Sequence, residues 1–215
     1  MEIYKTIQII TIYAVPLILA ITLHEAAHAY AARYFGDSTA YMLGRMTLNP
    51  FKHIDPVWTI VIPIVTLLLS PFAFGAAKPV PVNFAALRNP KRDMIWVAAA
   101  GPLANFFMML AWAAIGKVIV GLPNSPPVEF LAYVAEAGIT VNALLMVFNL
   151  FPLLPLDGGR IVTGLLPDRL AYSYSRLEPY GMMILVLLIL SGLFNRWMGP
   201  LVETTLKTVQ SAFGF

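Results

Sequence analysis

Five stretches of this chain, at 7–35, 57–74, 94–120, 130–151 and 180–197, are almost purely apolar. Most match or exceed the roughly 20 residues a helix needs to cross a bilayer. Inside lipid no water is available to the backbone, so such runs must satisfy their own peptide groups, and helices do this. Composition agrees: of 215 residues, 59% are hydrophobic and 12% charged, with a mean hydropathy of +0.76. An ordinary soluble domain carries roughly a quarter charged residues. This chain therefore cannot coat a compact globule with polar groups, and the expected fold is an all-α polytopic integral membrane protein. The first run does not read as a cleavable leader, because it is too long, has only Lys5 as a basic start, and carries His24, Glu25 and His28 deep inside.

The polar stretches between the runs are short and rich in Pro and Gly, and none has room for a separate soluble domain. A single membrane-embedded domain over 1–215 is expected, with a core at about 8–160 and a C-terminal helix and tail over 180–213. Residues 40–50 and 78–84, with Thr, Tyr and Val flanked by Gly and Pro, read as extended, strand-like segments. Residues 200–213 place Leu201, Val202, Leu206, Val209 and Phe213 on one face, as an amphipathic helix on the membrane surface would. No internal repeat is visible. The formal charge of +3, from 14 Lys and Arg against 11 Asp and Glu, contains no dense basic run, so nucleic-acid binding is not indicated. With no cysteine, disulfides, thiol catalysis and thiolate metal sites are excluded. Any metal must be held by His and carboxylate.

His24-Glu25-Ala26-Ala27-His28 is an H-E-x-x-H sequence inside a run suited to continuous helix. Two residues four apart leave a helix from the same face, so both imidazoles can share one zinc while Glu25 stands beside them as an acid/base. The bland reading is a pair of partly buried histidines near a helix end. Three ionisable groups in one turn of an intramembrane helix are costly, however, and normally face a functional cavity. A catalytic zinc takes three protein ligands and one open position. The extended metzincin pattern would need Gly at 31 and His at 34, where Ala31 and Tyr34 stand. Asp157 is the best third candidate. It ends the run N-L-F-P-L-L-P-L-D from Asn149, in which Pro152 and Pro155 break the helix and Gly158 and Gly159 permit a tight turn. The competing role for Asp157 is to cap the helix that follows.

Three segments together, the H-E-A-A-H run, Gly101-Pro102-Leu-Ala-Asn105, and the stretch from Asn149 to Asp157 with Gly158, resemble the signatures of the site-2 protease family of intramembrane zinc metalloproteases. They span the core of the chain and are specific in combination. The resemblance implies one zinc held by His24, His28 and Asp157, Glu25 as catalytic acid/base, and Asn149 near the substrate or its oxyanion. The implied substrate is a transmembrane protein cut in or near the bilayer. Many members carry PDZ or CBS modules, which this sequence lacks, so a minimal form is expected.

Sharing of one metal by His28 and Asp157 also constrains topology, because both must lie at one membrane face. Were 57–74 a full crossing, Asp157 would emerge on the opposite side, so that segment is expected to be re-entrant, alongside about four transmembrane helices. Placing 33–93 and 152–179 inside collects ten of the fourteen Lys and Arg there, so the positive-inside rule independently favours zinc toward the cytoplasmic side; the expected location is a prokaryotic cell membrane. Of the remaining polar residues, Glu136 reads as an interhelical or outer-cavity group rather than a ligand, and His53 as a loop residue. Asn105 is divided between helix packing and a role at the site. Two other classes compete with a protease. A metal transporter would show more intramembrane ionisable groups along a path, and an inactive scaffold would have lost Glu25 or a ligand. Oligomeric state is not legible.

Overall fold

The computed structural model describes residues 2–53, 55 and 78–214. Helix α1 (Glu2–Tyr34) contains the H-E-A-A-H run and is followed by one short turn, α2 (Thr39–Met42). Two long helices come next, α3 (Pro90–Val120) and α4 (Pro126–Asn149), each with Pro at its start, where the missing N–H costs nothing. Asn89 precedes α3, and its N–H is accepted by the Asp93 carboxylate at 2.7 Å, which satisfies one of the donors left over at a helix start. Short helices α5 (Asp157–Leu165), α6 (Asp168–Ser175) and α7 (Glu178–Leu190) lead to α8 (Leu193–Phe213).

Helix α3 is the centre of the bundle, packing against α1, α4, α5 and α8. Small residues let it do so. A β-carbon at Gly138 of α4 would collide with the Trp112 indole, and one at Gly164 of α5 with Ile95. The outer surface of α1 exposes Ile7, Ile9, Ile10, Val15, Leu17, Ile18 and Leu19, a row that water would not tolerate and lipid accepts. Helices α1, α3 and α4 are long and apolar enough to cross a membrane, and α6 with α7, bent by 63° between them, would make a fourth if counted as one span. The all-α membrane character expected from the runs is therefore found.

Four expectations need correction or fall elsewhere. The fifth apolar run, 180–197, is not one helix: it breaks at Gly192, whose φ of +75° suits glycine, and α7 before it has 13 residues. At 1.5 Å per residue that is about 20 Å, short of a hydrocarbon core of about 30 Å. The tail helix starts at Leu193 rather than 200 and does not simply lie on the membrane surface. It buries Phe194 and Met198 against Leu185 and Val147, and Val209 against Met109 and Ile139. Residues 40–50 are not extended throughout, because the Asp37 carboxylate accepts the Thr39 N–H at 2.9 Å and the Thr39 hydroxyl at 2.5 Å, starting the turn of α2. No strand occurs among the described residues, although 78–83 is free of helix. The segment 57–74, expected to be re-entrant, lies outside them. The residues flanking it meet, with the Lys78 N–H donating to the His53 carbonyl at 2.9 Å and the Arg88 N–H to the Phe35 carbonyl at 2.9 Å.

Candidate metal centre

His24 and His28 sit one turn apart on the face of α1 that meets α3, both buried, with ring centroids 4.7 Å apart and planes at 81°. Asp157 is brought to them from a position more than a hundred residues away by the loop after α4. Leu153, Leu154 and Leu156 of that loop are buried. A β-carbon at Gly158 or Gly159 would collide with the backbone of the same loop, so only glycine lets α5 fold back so tightly. Helix α5 begins at Asp157 itself, and the carboxylate turns toward the histidines instead of capping the helix.

Three atoms converge. Asp157 Oδ2 lies 3.3 Å from His24 Nε2 and 3.3 Å from His28 Nε2, and the two nitrogens stand 3.1 Å apart. Zinc bonds of about 2.0–2.1 Å in a tetrahedral site put neighbouring ligand atoms about 3.3 Å from each other. Proton placement fits as well. His28 Nδ1 is 2.7 Å from the Val97 carbonyl, which can only accept, so the neutral ring carries its proton there and a lone pair at Nε2. Asp157 Oδ2 is buried and takes no hydrogen bond among the described residues, an arrangement of facing lone pairs that a cation resolves. Room is left for one by Gly101 of α3: a β-carbon there would fall 2.6 Å from His24 Nε2 and closer still to His28 Nε2. The residues present therefore fit a zinc ion.

Helix α3 provides this cradle through one short sequence. Gly101 supplies the space. Pro102 offers no N–H to the Ala98 carbonyl and loosens the turn beside Val97, whose carbonyl holds His28. Asn105, fully buried, places Oδ1 at 2.6 Å from His24 Nδ1, so its polar group serves the site rather than helix packing alone.

Glu25 and Asn149 both line a cavity of about 370 Å³ that also contains the three converging groups, Val80, Val82 and Arg160. The Glu25 carboxylate accepts the Val80 N–H at 2.6 Å, so the segment at 78–83 passes directly over the would-be base. Asn149 Nδ2 donates to the Leu145 carbonyl at 3.0 Å, and the second proton of that amide remains for another acceptor. Arg160 bonds Glu178 at 2.5 Å, and its guanidinium lies 4.8 Å over the Phe84 ring. Neither Glu136, exposed on α4, nor His53, whose Nε2 is 2.9 Å from the Thr47 carbonyl, joins the metal-capable group. Reading the sequence missed Asn142, Val80 and Arg160. Asn142 carried a signal, an amide in an apolar helix, which needs a buried partner.

Fold and site together describe a mostly helical, membrane-like protein with a group of two histidines and one carboxylate able to hold a metal. The comparisons make this specific. The chain is 33% identical over 98% of its length to "Putative zinc metalloprotease YwhC" of Bacillus subtilis, covering 94% of that protein. It is 25% identical over 86% of its length to the Rip2 protein of Mycolicibacterium smegmatis, which bears the same description, covering 69% of it. It is 24% identical over 83% of its length to "Zinc metalloprotease MJ0392" of Methanocaldococcus jannaschii, of which it spans 42%. No family model and no solved structure matches. The chain belongs to the site-2 protease family.

Proposed function

We propose that this protein is an intramembrane zinc metalloprotease that hydrolyses peptide bonds in or near the transmembrane segments of membrane-protein substrates. The observation that carries the reading is the convergence of three metal-capable ligand atoms, 3.1–3.3 Å apart, beside a glutamate on an apolar helix. His24, His28 and Asp157 would hold one zinc per chain, which when bound supplies Lewis acidity toward the scissile carbonyl and makes water acidic near neutral pH.

The chain's own groups do the rest. Glu25 takes a proton from the attacking water as its oxygen adds to the carbonyl carbon, then delivers that proton to the amide nitrogen as the C–N bond breaks. Asn149, with one amide proton uncommitted, donates to the oxygen on which negative charge develops. A transmembrane helix hides its carbonyls, so the substrate must unwind locally. Residues 78–83, free of helix and passing along the cavity, offer backbone groups for pairing with the unwound stretch. The distribution of Lys and Arg favours a site toward the cytoplasmic side, and the bacterial and archaeal relatives favour a prokaryotic cell membrane. An inactive scaffold has no need of this intact set.

Co-expression with single-pass membrane proteins, comparing the intact chain with Glu25→Gln, tests the reading. The variant should retain about one zinc per chain and lose cleavage by about 10²–10⁴-fold. Cleavage at the wild-type rate by Glu25→Gln would remove Glu25 from this role.

A further inference from the structure

Asn105 faces His24, yet nothing in that pair alone says which end of the amide does so. The two ends of an asparagine side chain are nearly isosteric, and a flipped amide would present NH2 to the imidazole. The flip would matter. With Nδ2 against His24 Nδ1, the ring would have to offer a lone pair there and carry its proton on Nε2, the atom that must face the metal.

The chain settles the question one step further away. Asn142 of α4 is fully buried, and its Nδ2 donates to the Gly138 carbonyl at 2.8 Å, an atom that can only accept. That contact forces Asn142 Oδ1 to point the other way, where it accepts from Asn105 Nδ2 at 2.9 Å. Asn105 Nδ2 is also within 3.3 Å of the Ala20 carbonyl, another pure acceptor. Asn105 Oδ1 is thereby turned toward His24 Nδ1 and takes its proton at 2.6 Å. Gly138 lies one turn before Asn142 on the same helix, so the bond is set by helix geometry. From a backbone carbonyl to the imidazole, each link admits only one polarity.

We infer that Asn142 and Asn105 form a buried relay of positioning residues that fixes His24 with its proton on Nδ1 and its lone pair on Nε2, poised for a metal. The proposal deepens the zinc reading and rests on it for its purpose, but the tautomer itself needs no metal. His28 gets the same service directly from the Val97 carbonyl, so the two ligands are oriented by different means. Outer-shell partners of metal-binding histidines typically contribute 10–100-fold to metal affinity.

The test begins with wild-type protein. The chain has three histidines, so long-range nitrogen–proton NMR of 15N-histidine-labelled, metal-free protein in micelles can assign each tautomer. His24 should show its proton on Nδ1, and a proton on Nε2 would overturn the relay whatever any variant does. Zinc affinity by chelator competition then follows the chain of effect. Asn105→Ala should weaken zinc by about 10–100-fold, and Asn142→Ala by about 10-fold, with the His24 resonances shifting toward a mixture of tautomers. Because Asn142 acts through Asn105, the double variant should bind zinc no more weakly than Asn105→Ala alone. Additive losses, or an unchanged tautomer in Asn142→Ala, would reduce Asn142 to packing. Failure of the wild type to bind zinc, with the Nδ1 tautomer intact, would instead strike the metal reading and leave the relay standing.

Discussion

Replacement of Gly101 by alanine separates the metal from the fold. Inside an ordinary helix, Gly→Ala is favourable by about 1 kcal/mol, since glycine gives up more backbone freedom on folding. Here the added methyl would lie 2.6 Å from His24 Nε2 and nearer still to His28 Nε2. Non-bonded heavy atoms settle at about 3.5 Å, so the imidazoles must retreat by about 1 Å, roughly half a zinc–nitrogen bond of about 2.0 Å. A retreat of that size takes at least one nitrogen out of bonding range. The loss should therefore exceed that of an outer-shell partner, more than about 100-fold in affinity, or about 2.8 kcal/mol at 1.4 kcal/mol per decade. Moving the rings also strains the contacts of Nδ1 with Asn105 and Val97, each worth about 1–3 kcal/mol if left unmade. The helix gain offsets part of this, so the metal-free variant should unfold within a few degrees of metal-free wild type. Zinc affinity by chelator competition and thermal unfolding of the metal-free protein in detergent measure the two quantities. Zinc binding by Gly101→Ala at wild-type affinity would refute the placement of the metal beneath α3.

Other consequences are simpler to state. Asp157→Ala should abolish tight zinc binding, and adding zinc at about 100 times the wild-type Kd should stabilise wild type by about 2.7 kcal/mol but leave Asp157→Ala unmoved in a thermal melt. Val80→Pro removes the N–H that holds Glu25 and should lower the cleavage rate about tenfold or more while zinc content stays the same. Because the chain has no cysteine, single cysteines at the exposed positions Met42, Ala86 and Asn124 can be labelled from either side of the membrane. The first two should react from one side and the third from the other; opposite labelling of 42 and 86 would contradict a site gathered at one face.

The sequence made some of this legible for reasons that lie in the chemistry itself. His24, Glu25 and His28 announce themselves because sharing one metal requires helical spacing, and because lipid makes idle charge expensive. Asp157 was legible through the prolines and glycines around it, which mark backbone that can survive at depth only beside a cavity. Asn105 was half legible, since its helix face could be read but the partner across the interface could not. Asn142 went unread because its meaning lies in the Gly138 carbonyl and the Asn105 amide, contacts that periodicity does not encode. The break at Gly192 was hidden by averaging hydropathy across Ser191 and Gly192, two residues that permit a turn without lowering the mean enough to interrupt the run. The docking of α8 was likewise invisible, because an apolar stripe has the same spacing whether it meets lipid or Ile139.

The cradle on α3 has a use beyond this molecule. Gly101 and Asn105 meet the imidazoles of another helix, so the two sequence signatures are halves of one device and should be inherited or lost together. A related chain that retains H-E-x-x-H but carries a bulkier residue in place of the glycine should be metal-free, however intact its histidines look. Helix α3 thus offers a way to sort live members of such a family from silent ones by reading residues that bind nothing themselves.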